Sequence, residues 1–327
     1  QYQNFFAGGI IDLSNLNYTS ADYPSGIKIN SLNTKFSPSK VDITNLNGEY
    51  LKTKFNGEGQ INNLLNYMLS DKPLSANINF NADRINLNDW MGTSADTSTS
   101  TSGGPFIVPA NLDVSLKANA GQVDYDKLDI KNLSGILTVA DQMVRLNNVS
   151  GNALDGAITI NGSYSTRENK KNPDISMSYK IDRVDIQKTF YAFATAQKLM
   201  PIGKFLSGKI TSSLAANGKL GEDMNVEMNT LSGEGNLLLI EGVLSKFSPL
   251  DKIASTLHVA QLQNISMKDV KAFFEFSNGK MLIKPFTVKL NGIEMEIGGL
   301  QGFDESIDYA VNLKLPRSMM GAQGNQL

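Results

Sequence analysis

Phe286-Thr287-Val288-Lys289-Leu290-Asn291-Gly292-Ile293-Glu294-Met295-Glu296-Ile297 decides the fold class. Apolar residues take every second position on both sides of Asn291-Gly292, with Thr, Lys and Glu between them. A period of two sends successive side chains to opposite faces of a strand, whereas a helix needs a period of about 3.6. Asn-Gly supplies the two positive-φ residues of a type I′ hairpin turn. The stretch therefore predicts two antiparallel strands. One face carries Phe286, Val288, Leu290, Ile293, Met295 and Ile297, and the other is wet. Ile307, Tyr309, Val311 and Leu313 alternate in the same way and extend the apolar face by a further strand.

Outward from this hairpin the pattern recurs. Leu112, Val114, Leu116 and Ala118 alternate with Asp113, Ser115 and Lys117, and Ile175, Met177, Tyr179 and Ile181 do likewise. Asn-Gly or Asp-Gly turn signals stand at Asn47-Gly48, Asn56-Gly57, Asp155-Gly156, Asn161-Gly162, Asn217-Gly218 and Asn278-Gly279. Together they predict a mainly β chain, a meander of repeated antiparallel, curved, groove-like sheet units. About three short helices interrupt it. They are expected over 61–69, over 186–200 ending at Pro201, and over 249–261, where Ser248 is the N-cap candidate and Pro249 takes the first helical position. Their expected role is to cover the sheet.

Composition narrows the chemistry. The 327 residues hold 30 Lys plus Arg against 32 Asp plus Glu, a net charge of -2 with no basic block, which disfavours nucleic acid as a partner. Charged residues are only 19%, while Asn alone is about one residue in ten. The 41% hydrophobic share suffices for a core. There is one His and no Cys, which excludes thiol nucleophiles, disulfides and zinc–thiolate sites and leaves little for His-based triads. His258, beside Leu257 and Val259, reads as structural. Asp124-x-Asp126-x-x-Asp129 lacks the glycine and distal Glu of a calcium loop and reads as a solvated turn. No catalytic residue, metal site or cofactor is expected. No stretch reaches the roughly 18 apolar residues of a membrane span, so any anchor is expected outside this chain, which reads as a portion of something longer.

The chain also repeats itself. Asp83-Arg84-Ile85-Asn86-Leu87 returns 99 residues later as Asp182-Arg183-Val184-Asp185-Ile186. A low-complexity Ser/Thr/Gly stretch follows the first copy. The expected organisation is a β repeat unit over 1–91, a flexible linker over 92–105 and a second unit over 106–200. A C-terminal β module over 201–316 and a tail over 317–327 complete it.

These residues resemble a known family. Leu128-Asp129-Ile130-Lys131-Asn132-Leu133-Ser134-Gly135-Ile136-Leu137, then Val144-Arg145-Leu146, then Gly151-Asn152-Ala153-Leu154-Asp155-Gly156 and the strand to Gly162, are similar to the repeat unit of the AsmA family. The C-terminal stretch, from Gly233-Glu234-Gly235 through Ser277-Asn278-Gly279-Lys280-Met281, looks like that family's C-terminal module. The resemblance spans roughly residues 70–315. It implies a non-enzymatic periplasmic envelope protein involved in outer-membrane biogenesis, anchored in full length to the inner membrane and related to bridge-like lipid-transfer proteins. The implied partner is a phospholipid or other envelope lipid, alongside possible envelope proteins. The family offers no catalytic residues to carry over.

The apolar strand faces leave two readings open. They pack into an ordinary core, as in a structural or scaffolding module of the envelope without cargo, or part of them lines a groove for lipid. Three helices are too short to cover many strands of about 20–33 Å. If there is a lipid path, Phe286, Val288, Leu290, Ile293, Met295, Ile297, Ile307, Tyr309, Val311 and Leu313 are expected to line it.

Overall fold

The structure is a computed structural model that describes residues 8–20, 23–90, 104–193, 197, 201–248, 251–252, 255, 264–290, 293–304, 306–314 and 316. The strands are β1 (Gly9–Tyr18), β2 (Ile27–Ser37), β3 (Lys40–Tyr50), β4 (Thr53–Asn62), β5 (Leu74–Asn86), β6 (Leu112–Tyr125), β7 (Leu128–Ala140) and β8 (Met143–Ala153). They continue as β9 (Gly156–Ser165), β10 (Asp174–Asp185), β11 (Leu206–Lys219), β12 (Ser232–Ser245), β13 (Asn264–Ser277), β14 (Lys280–Leu290), β15 (Ile293–Gly302) and β16 (Ile307–Lys314). The chain is mainly β, as the alternation predicts. The hydrogen-bonded order follows sequence order from β1 to β16, and β1 and β16 are not neighbours, so the ladder does not close. Two compact units share it: residues 1–153, 159–176 and 219–226, and residues 154–158, 177–218 and 227–327.

One pairing departs from the expected meander: β5 and β6 run parallel, from Leu74 opposite Leu112 to Asn86 opposite Asp124. A parallel neighbour requires a crossover of a dozen or more residues, and 87–111 is that connection. The Ser/Thr/Gly stretch predicted as a linker therefore falls between two strands that pair with each other. The linker itself, over 92–105, lies almost wholly outside the described residues, as does the tail over 317–327. The Asp-Arg echo marks a strand irregularity. Asp83 Oδ1 accepts from the Lys54 N–H at 3.1 Å and the Arg84 N–H at 2.6 Å. In the second copy Asp182 accepts from Thr211 Oγ1 at 2.9 Å, and Arg183 takes a positive φ of 52°.

The turn reading needs correction at five places: the Asp155-Gly156 turn falls one residue earlier, Gly156 already opening β9, and four pairs do not turn. Asn47-Gly48, Asn56-Gly57, Asn161-Gly162 and Asn217-Gly218 lie within β3, β4, β9 and β11. The tight turns fall instead at Leu51-Lys52, Asp141-Gln142 and Leu154-Asp155, where both residues take positive φ. Asn278-Gly279 does turn as predicted, with φ of 50° and 73°, and Asn291-Gly292 lies outside the described residues. Gly48 has a side-chain reason to be in a strand. A Cβ there would stand 2.6 Å from Phe55 Cζ, so the glycine lets the ring lie flat across it.

Helices are short. α1 (Leu64–Ser70) begins three residues later than expected, because β4 runs to Asn62. α2 (Ile186–Ala192) is capped by Asp185, whose side chain accepts the Lys188 N–H at 2.8 Å. Its expected continuation to 200 and most of the 249–261 helix lie outside the described residues. A single helical turn stands at 87–90, and 3₁₀ turns at Pro201–Lys204 and Met228–Thr230.

Candidate functional site

In the first unit the register aligns the apolar stripes of neighbouring strands on one face. One row reads Ile43, Gly59, Ile78, Leu116, Leu137, Leu146 across β3 to β8. A second reads Val41, Ile61, Ala76, Val114, Val139, Val144. Of these two rows only Ala76 is fully buried; farther along β6, Ala120 and Val123, 5% and 2% exposed, are buried as well. The larger side chains, Ile43, Ile78, Leu116 and Leu137 among them, remain partly accessible. Sequence reading placed its candidates only in the C-terminal module and missed this face. β-Bulges hid it: apolar positions are odd-numbered up to Ile43 in β3 and even-numbered from Leu46, and the register slips at that point.

The reverse face of the same strands is polar and largely uncharged at its centre. Asn47, Asn56, Asn81, Asn119, Ser134 and Ser150 form one cross-strand rung. Asn81 Nδ2 donates to Asn56 Oδ1 at 3.1 Å, Asn119 Nδ2 to Asn81 Oδ1 at 3.0 Å, and the Ser134 and Ser150 hydroxyls lie 3.4 Å apart. The asparagine abundance thus has a place: a side-chain amide carries a donor and an acceptor and can link neighbours on both sides.

In the second unit all ten predicted lining residues fall on adjacent strands in matching register. Phe286 lies opposite Ile297, which lies opposite Val311; Val288 lies opposite Met295, which lies opposite Leu313. Leu290 lies opposite Ile293, Tyr309 opposite Gly299, and Ile307 opposite Gln301. Their accessibility divides them. Val288 and Ile293, 2% and 1% exposed, join Leu244 and Ile265 in a packed core, with Ile202, Phe205 and Phe247 against it. Phe286, Met295 and Ile297 are partly buried at its margin. Ile307, Tyr309, Val311 and Leu313 on β16 are exposed, Ile307 at 68%. A second core, of Val184, Ile186, Ile210 and Leu239, seats the start of α2 on the sheet. The core reading therefore holds beneath the Pro201–Phe205 segment, while the strands beyond keep accessible apolar surface.

Charges gather at strand ends. Arg84 Nε bonds Asp124 Oδ2 at 2.6 Å, Lys188 Nζ bonds Asp155 Oδ2 at 2.6 Å, and Lys314 Nζ bonds Glu294 Oε1 at 2.6 Å. Each partner hydrogen bond holds its carboxyl below the usual carboxylate range. Burial pushes the Tyr309 phenol up, and its hydroxyl donates to Gln301 Oε1 at 2.8 Å. Among the described residues no three His, Cys, Asp or Glu side chains gather to hold a metal. No described helix is long and apolar enough to cross a membrane. Compared with protein-family models, curated proteins and solved structures, the chain matches none of them.

Proposed function

We propose that this chain is a non-enzymatic envelope protein that shields or conducts lipid along an apolar sheet face, as its resemblance to the AsmA family implies. The observation carrying the reading is the in-register apolar face of the first unit, whose large side chains stay accessible while the reverse face is an amide-rich polar surface. Such a face gains about 0.8 kcal/mol for every acyl CH₂ it removes from water, with no directional contacts needed. Accessible rows running strand to strand offer an acyl chain a path without catalysis. The periplasm, with an inner-membrane anchor in the full-length protein, is the setting the resemblance suggests.

The test is lipid extraction and mass spectrometry of the purified chain, followed by uptake of a fluorescent phospholipid. Leu116→Asp and Ile78→Asp, on the apolar face, are expected to reduce uptake at least tenfold. Asn79→Asp on the reverse face should leave it unchanged. Absence of both co-purified lipid and uptake in the folded wild type would establish the scaffold reading instead.

A further inference from the structure

We infer that the β16 edge is a self-association surface, joining two copies of this chain through antiparallel β16–β16 pairing about a twofold axis at Val311. The inference does not depend on lipid binding.

Among the described residues β16 pairs on one side only, with β15, and the ladder stops there. A sheet edge presents a row of unpaired N–H and C=O groups, which natural proteins blunt with bulges, prolines or charges. The opposite edge has such a device. β1 carries Asn15 at a φ of 55°, and its register with β2 skips that residue. β16 has no bulge and no proline within it: its eight residues pair with β15 without a slip, none takes a positive φ, all eight are exposed, and its two charges, Asp308 and Lys314, are of opposite sign. Ile307, Tyr309, Val311 and Leu313 all lie on the apolar face of this edge, with Val311 52% exposed.

The sequence of β16 complements itself. Antiparallel pairing centred on Val311 sets Val311 against Val311 and Tyr309 against Leu313. It also sets Asp308 opposite Lys314 of the second copy, twice by symmetry. A twofold axis normal to the sheet keeps the apolar faces of both copies on the same side. Opposite charges and apolar pairs placed directly across strands are favourable, whereas like charges there are not. A C2 interface needs this kind of self-complementarity.

Sedimentation equilibrium tests the inference on the full chain. Wild type is expected to pass from monomer to dimer between about 1 and 200 µM, as suits a small interface. Val311→Lys places two ammonium groups on the axis and should weaken association at least tenfold, as should Val311→Glu. An equimolar mixture of the two variants should recover a mixed dimer. Circular dichroism and melting of each variant show that it is folded, which the exposure of Val311 favours. A wild type that stays monomeric at 200 µM overturns the inference, even if it accepts an added strand peptide. So does a Val311→Lys protein that dimerises as well as wild type, or a wild type that forms open-ended oligomers.

Discussion

Gly48 and Phe55 face each other across β3 and β4, and similar pairs, Gly233 with Phe276 and Gly235 with Phe274, recur across β12 and β13. A ring laid over a glycine fills the space of two side chains without lifting the sheet surface. Burial then separates residues that look alike in sequence. Ile293 and Val311 both alternate with polar neighbours, but Ile293 is enclosed by Leu244, Ile265 and Val288 while Val311 stands on the edge. Ile293→Ala should cost about 2–5 kcal/mol, the usual penalty for emptying a core site. Val311→Ala should stay within about 0.5 kcal/mol at concentrations where the chain is monomeric. Urea denaturation of the two variants checks the contrast.

At the scale of elements, α2 is tied to the β8–β9 turn by the Lys188–Asp155 pair. The Asp155 carboxyl is held low chiefly by the hydrogen bond from Lys188. Its contribution is therefore present above the unfolded Asp value, about 3.9, and is lost as pH falls through the lower folded value. The Lys188 ammonium is raised by the same bond, so its share is present below about 10.4 and lost as pH rises through the higher folded value. Both groups are about half exposed, so the effect is small. Asp155→Asn should lower Tm by a few degrees at most at pH 7. At a second, strongly acidic pH, as the wild-type carboxyl is driven towards protonation as well, the gap should narrow. Parallel melts of the two proteins at both pH values read the difference.

At the scale of the whole molecule, the sixteen-strand ladder leaves apolar surface that the described helices do not cover, and a bound acyl chain would stabilise the folded state. A ligand that binds only the folded chain adds about 2.7 kcal/mol at a hundred times its Kd. Detergent-delipidated protein is expected to melt lower than protein supplemented with phospholipid, by several degrees. Leu116→Asp should abolish the difference. Differential scanning calorimetry with and without phospholipid measures it, and a lipid-independent Tm in the wild type counts against the groove.

The sequence by itself determined that this chain is β, because the pleat enforces a period of two wherever one face is greasy, as at Phe286–Ile297. It also picked out the Asp83-Arg84 and Asp182-Arg183 echo, whose aspartates stand three residues before the ends of β5 and β10, each strand leading into a helical turn. Only the tertiary structure decided where the greasy face runs. Each bulge adds a residue to one strand and reverses the phase beyond it, so the stripe through Ile43 and Leu46 reads as broken in sequence although it lies on a single face. It decided the fate of the Asn-Gly pairs as well, since whether Gly48 turns or stays extended depends on a Phe55 ring from the next strand. Coverage, too, is set by contacts distant in sequence. Val288 is core because Phe205 and Phe247 pack against its cluster, and Val311, with the same local pattern, is open because no described strand follows β16.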